Sequence, residues 1–143
     1  MKLISFLLHG APTFGAVVDG KVLDLGPHFA GRAADLRALI AADLLQEAAS
    51  LAKSQPATLA YEDLELLPVI PNPGKIVCVG LNYGEHVRET GREITEHPTL
   101  FLRVPESQVA HGQDIVLPPE SSRLDYEGGI AIVIGQGGRR ISG

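Results

Sequence analysis

Lys75-Ile76-Val77-Cys78-Val79-Gly80-Leu81-Asn82-Tyr83 is the stretch on which the reading of this chain turns. Its apolar part is too short and too rich in β-branched residues for a helix, so it predicts a buried strand that ends at Gly80. Downstream, Asn82 to Thr90 has room for one or two helical turns before Gly91, and Thr99 to Val104 predicts another strand stopped by Pro105. Ile115 to Leu117 and Leu124 to Ile134 add strand material around the Pro118-Pro119 turn. The run Ile130 to Ile134 is apolar on both faces, which predicts a central strand covered on each side. Only nine residues follow it, mostly turn formers, so the sequence looks interrupted rather than finished.

Upstream of Lys75 the pattern is different. Leu3 to Leu8, Phe14 to Val18 and Val22 to Leu25 predict three short strands, with Asp19-Gly20 as the hairpin turn between the last two. From Ala33, residues Leu36, Leu39, Ile40, Leu44, Leu45, Ala48 and Leu51 follow a period near 3.6, so one or two helices are expected, with Asp35 and Asp43 near their starts. Gln55-Pro56 ends the helical region, and Tyr61 to Gly74 reads as a connector punctuated by Pro68, Pro71 and Pro73. The expected organisation is an α+β chain in two parts, a hairpin-and-helix domain at 1–69 and a second domain at 70–143.

The 143 residues are 45% hydrophobic and 20% charged, enough to bury one ordinary core. A net charge of −5 without a Lys/Arg cluster argues against a nucleic-acid partner, because nothing is placed to displace phosphate counterions. No run approaches the roughly 20 apolar residues that span a bilayer, so no membrane partner is expected. The first eight residues read as a strand rather than a leader. Cys78 is the one cysteine, which excludes an internal disulfide and favours a reducing, cytoplasmic setting.

Three clusters could carry chemistry. His86 and Glu89 are three apart, so on a helical turn they share a face and the carboxylate can orient the imidazole as a base. The alternative is an ordinary solvated ion pair. In Arg123-Leu124-Asp125-Tyr126-Glu127-Gly128-Gly129, an extended backbone puts Asp125, Glu127 and position 129 on one face, where two carboxylates suit Mg2+, Ca2+ or Mn2+ better than zinc. The alternative is a strand start with two solvated acids. Arg103, at the end of a strand, is suited to a forked contact with a substrate carboxylate, and Ser107 could hydrogen-bond it. Gly135-Gln136-Gly137-Gly138 lacks the following helix that a phosphate cradle requires. His9, His28 and His97 read as surface or turn residues, and Cys78 as an inert core thiol.

Three ordered blocks carry a resemblance: 73–83 with His86, then Pro98-Thr99-Leu100-Phe101-Leu102-Arg103, then Leu124-Asp125-Tyr126-Glu127-Gly128 leading into Ala131 to Gly135. Together they resemble the fumarylacetoacetate hydrolase family, across most of 70–143, and the part before them is similar to that family's bacterial N-terminal domain. The resemblance implies a partial mixed β-roll and a Mg2+- or Mn2+-dependent enzyme that hydrolyses, isomerises or decarboxylates diketo acids and related 2-oxo acids, working as a homodimer. It implies His86 as the base with Glu89 as its orienter, Tyr83, Arg103 and Ser107 as substrate-binding residues, and Glu127, helped by Asp125, as metal ligand. The family pattern continues Asp-Tyr-Glu-x-Glu, and its second carboxylate falls where this chain has Gly129. A further Asp is expected from a segment beyond residue 143, so cation binding should be weak or absent and catalysis impaired. The other readings are a non-catalytic fragment that binds a small carboxylate or pairs through exposed strand edges, and a chain that folds only in part.

Overall fold

The structure, a computed structural model, describes residues 1–89, 91, 96–126 and 128–142, apart from the side chain of His86. It divides into two units, Met1–Ile70 with Val109–Gly143, and Pro71–Gln108.

The first unit is built on an antiparallel sheet. Strands β1 (Lys2–Leu8), β2 (Ala11–Val18) and β3 (Lys21–Asp24) form a meander. Both of its turns are two residues long. His9-Gly10 and Asp19-Gly20 all have positive φ, the type I′ geometry whose twist matches that of the flanking strands. Two helices follow: α1 (Leu36–Ala41) and α2 (Leu45–Ser54). Asp35 caps α1 as expected, its carboxylate accepting from the Ala38 amide at 2.7 Å.

Asp43 does something other than start α2. It stands at φ 56° just past α1, with its own amide donating to the Ile40 carbonyl and the Leu44 amide donating to the Leu39 carbonyl. That pair of bonds is a Schellman motif, in which the left-handed residue closes a helix; here an aspartate holds the place usually taken by glycine. Leu44 precedes α2 without a side-chain cap.

Residues after the helices return to the sheet, the second of the two strands lying within the predicted connector Tyr61 to Gly74. Strand β4 (Leu59–Ala60) pairs with β3, and β5 (Glu65–Leu67) pairs with β1 through Leu7↔Glu65 and Ser5↔Leu67, giving the order β4-β3-β2-β1-β5. The buried Ser5 hydroxyl donates to the Val69 carbonyl at 2.8 Å and ties down the segment after β5. Two- and three-residue strands lack a readable alternation, so only their open partner edges reveal them.

The core of this unit joins one sheet face to the helices. Phe14, Ala16, Leu23 and Leu25 pack with Phe29, Ala33, Leu36, Leu39 and Ala48. On the other face Phe6 and Val22, both fully buried, lie over Gly15. A methyl at Gly15 would sit 2.5 Å from the Leu23 carbonyl oxygen, so glycine is required there by close approach and not by φ. Outside the core, Arg32 forks onto Glu47 at 2.6 and 2.8 Å and lies over the Phe29 ring.

Within Val109–Gly143 the described residues form no helix or strand and are exposed almost throughout. The strands expected at Ile115–Leu117 and at Leu124–Ile134 therefore do not form among the described residues. β-Branched residues favour a strand only where a neighbour supplies the hydrogen-bond ladder and a layer covers the side chains. Ile130, Ile132 and Ile134 have neither among the described residues.

In the second unit β6 (Ile76–Gly80) and β7 (Thr99–Arg103) pair antiparallel, from Ile76↔Arg103 to Gly80↔Thr99. Between them runs α3 (Gly84–Glu89). Both strands lie where the sequence puts them, but β6 is not the buried strand expected, since Val77 and Val79 are exposed. Among the described residues β6 has one partner strand, so its other edge has no ladder partner there.

Candidate functional site

The base candidate lies on α3, two turns of chain beyond β6. Leu81, directly after the strand, has φ 57°, an uncommon conformation for a bulky residue, and it turns the backbone from strand to helix. The Val87 amide then donates to the Tyr83 carbonyl, closing the first turn of α3, and Gly91 at φ 66° ends it. His86 and Glu89 are thus both on α3, three residues apart, the spacing that places them on one face. The His86 side chain lies outside the described residues, while Tyr83 and Glu89 are exposed.

Arg103 closes β7 at the opposite end of the ribbon. The register sets it beside Ile76, whereas α3 departs after Gly80. Four residues of strand, about 13 Å, separate those two positions along the ribbon. Its guanidinium lies 5.7 Å from the centroid of the Phe101 ring, two residues earlier on the same face. No described acidic side chain pairs with Arg103, so its fork remains available to a carboxylate from outside. Phe101 was not singled out in the sequence. The i, i+2 spacing of an aromatic and an arginine on one strand was the signal for it.

Ser107 sits in the one-turn 3-10 helix Pro105–Ser107, and its hydroxyl donates to the Val104 carbonyl at 2.7 Å. Its proton is committed to the backbone, leaving only the oxygen lone pairs for a ligand. A carboxylate needs a donor, which makes Arg103 the stronger anion contact of the two.

Asp125 is exposed, and its Oδ1 accepts from the Tyr126 amide at 2.8 Å. Glu127, the principal metal-ligand candidate, lies outside the described residues. At Gly129 a Cβ would meet no described atom within 4 Å. Among the described residues no three His, Cys, Asp or Glu side chains gather as a metal site. A hard cation takes six or more oxygens, and Asp125 with water is not such a set. The described donors therefore do not fit a tightly held divalent ion.

Residues 75–143 match the family model described as Fumarylacetoacetate (FAA) hydrolase C-terminal. The oxaloacetate tautomerase YisK of Bacillus subtilis is 47% identical over 88 residues, which cover 58% of this chain and 29% of that protein. The mitochondrial oxaloacetate tautomerase fahd2 of Xenopus laevis is 30% identical over 147 residues, covering 99% of this chain and 46% of that protein. A crystal structure from Mycobacterium smegmatis, provisionally named HpcE, superposes with a TM-score of 0.64 at 21% identity, over 82% of this chain and 41% of its own. The chain thus spans less than half the length of these relatives.

Proposed function

Because this chain belongs to the fumarylacetoacetate hydrolase family, its residues 75–143 matching the C-terminal domain model, we propose that it carries part of a site acting on a 2-oxo acid by proton transfer beside the carbonyl. The observation that carries this reading is the 47% identity over 88 residues to an oxaloacetate tautomerase. Keto–enol interconversion is the least demanding reaction of the proposed set. A base takes a proton from the carbon next to the 2-oxo group, that carbon–hydrogen bond supplies the new carbon–carbon double bond, and the carbonyl oxygen gains a proton. Hydrolysis of a diketo acid would need, in addition, an activated water.

In this proposal His86 is the base and Glu89 holds its ring, a role open to an imidazole whose ordinary pKa lies near neutrality. Arg103, backed by Phe101, takes the substrate carboxylate, and Tyr83 at the start of α3 contributes a hydroxyl. Of the mixed β-roll expected as the frame, the described residues form the antiparallel ribbon β6–β7. Glu127 and Asp125 are the proposed approach to Mg2+ or Mn2+, but the described donors make no cation site, so no step here passes through a metal.

The test follows the enol absorbance of oxaloacetate in the presence of the purified chain, beside the Bacillus subtilis relative. Acceleration at least about tenfold over buffer is expected, below that of the relative and abolished by His86→Asn; a tenfold rate is about 1.4 kcal/mol of barrier. Arg103→Met should raise KM. A rate equal to buffer would remove the catalytic reading. Arg103, which pairs with no described acidic side chain, would then favour a carboxylate-binding role, checked by calorimetry with oxaloacetate.

A further inference from the structure

One face of the β6–β7 ribbon carries Ile76, Cys78 and Gly80 from β6, and the register sets Arg103, Phe101 and Thr99 opposite them in turn. Phe101 does not stand straight out beside its partner Cys78. A Cβ built at Gly80 would meet Cε1 and Cδ1 of the Phe101 ring at 3.5 and 3.8 Å, so the ring leans diagonally across the strands onto the bare backbone of Gly80. An aromatic laid over a glycine of the neighbouring strand covers backbone that has no side chain of its own. The lean is toward the end of the ribbon from which α3 departs.

Arg103 follows the ring. Its guanidinium carbon lies over Phe101, 5.7 Å from the ring centroid, although Arg103 stands two residues further from the α3 end than Phe101 does. The side chain is thus turned back along β7 instead of extending from the far end of the ribbon into solvent. No described acidic side chain holds it in that direction. The aromatic ring is what the charge rests against, and a guanidinium within about 6 Å of a ring centroid is attracted by the ring quadrupole. A long side chain that is free in solution loses rotamer freedom when it grips a ligand, and one already aimed loses less.

We infer that Phe101 is a positioning residue for anion binding: its ring, seated on Gly80, aims the Arg103 fork back along β7 toward the α3 end, so that affinity for a carboxylate depends on the ring as well as on the guanidinium. The inference rests on the carboxylate contact proposed above for Arg103 and adds the group that sets the direction of that contact. Phe101 acts through Arg103 and has no ligand contact of its own in this arrangement.

The experiment titrates the full chain with oxalate, a stable dicarboxylate, by calorimetry. Arg103→Met should weaken binding at least about tenfold. Phe101→Leu, which keeps an apolar side chain on the strand but has no ring, should weaken it about threefold to fivefold, and Phe101→Trp should match or tighten the original affinity, since indole is the best of the cation-binding rings. In the Arg103→Met background Phe101→Leu should change nothing, the coupling expected of a residue that acts through another. In proton NMR the Arg103 Cδ protons should be shifted upfield by the ring in the original chain and in Phe101→Trp, and should return to their ordinary position in Phe101→Leu. Two results would overturn the inference: equal weakening by Phe101→Leu with and without the Arg103 guanidinium, or full affinity in Phe101→Leu while Arg103→Met binds weakly. Oxalate binding that is absent, or indifferent to Arg103→Met, would remove the carboxylate contact itself, and the aiming role with it.

Discussion

Asp43 shows how much a single backbone angle decides. The left-handed region costs an L-residue roughly 1 kcal/mol or more, least for Asp and Asn, and glycine enters it freely. Asp43→Gly should therefore raise stability by about 0.5–1 kcal/mol in urea unfolding, even though glycine is disfavoured within helices. A loss of stability would mean that the carboxylate makes a compensating contact. Glu47 is a second case. The forked hydrogen bonds from Arg32 hold its carboxyl below the ordinary carboxylate range, and the same contact raises the Arg32 pKa. A depressed carboxyl favours the fold above its unfolded pKa, and that contribution is lost as pH falls through the lowered folded value. Both groups are exposed, so the effect on stability is small. The Glu47 carboxyl titration followed by NMR should have a depressed midpoint that returns to the ordinary range in Arg32→Gln.

Gly129 bears on cation binding at the same scale. A Cβ added there meets no described atom within 4 Å, so a side chain can begin at this position without displacing a described neighbour. If Glu127 is a ligand, Gly129→Glu adds a second carboxylate two residues on, and calorimetry should show Mn2+ binding tightened by at least about tenfold. Unchanged affinity would remove Glu127 from the metal role.

Among the elements, the contrast is between a sheet that is packed and a ribbon that is not. β2 is flanked by β1 and β3 and buries Phe14 and Ala16 against the helices, with Phe6 and Val22 filling the space over Gly15. Gly15→Ala drives a methyl into the Leu23 carbonyl, which cannot withdraw without breaking the β2–β3 ladder. The expected loss is about 1–3 kcal/mol, read as a lower urea midpoint at unchanged slope. Both hairpin partners and both helices were legible, because Asp-Gly turns and a 3.6-residue apolar period are local signals. β4 and β5 were not, since at two and three residues they exist through the edges of β3 and β1 that they complete.

For the molecule as a whole, every buried member of the main core cluster lies between Phe14 and Ala48, and of the buried apolar residues only Val87 and Ala110 among those described follow Pro71. A chain ending at Ile70 should keep a cooperative thermal transition with a midpoint within a few degrees of the full chain's, measured by calorimetry. Broad, non-cooperative melting would show that residues after Ile70 contribute to that core. The candidate site divides differently. The sequence located α3 and placed Arg103 at a strand end, but the ribbon register, which sets Arg103 about 13 Å of strand away from the departure of α3, is a pairing between distant segments and has no local signature.

By itself the sequence determined what depends on near neighbours: the I′ turn at Asp19-Gly20, the Asp35 cap, the two helices, the strands β6 and β7, and the ordered blocks that mark the family. Tertiary structure decided what depends on partners. It gave Asp43 to the end of α1, brought β4 and β5 into the sheet, turned an expected buried strand into an exposed ribbon, and left Ile130–Ile134 without strand structure. The physical reason is the same each time: a turn or a cap is satisfied by the residues beside it, whereas a strand and a buried face exist only when another segment supplies the ladder and the cover.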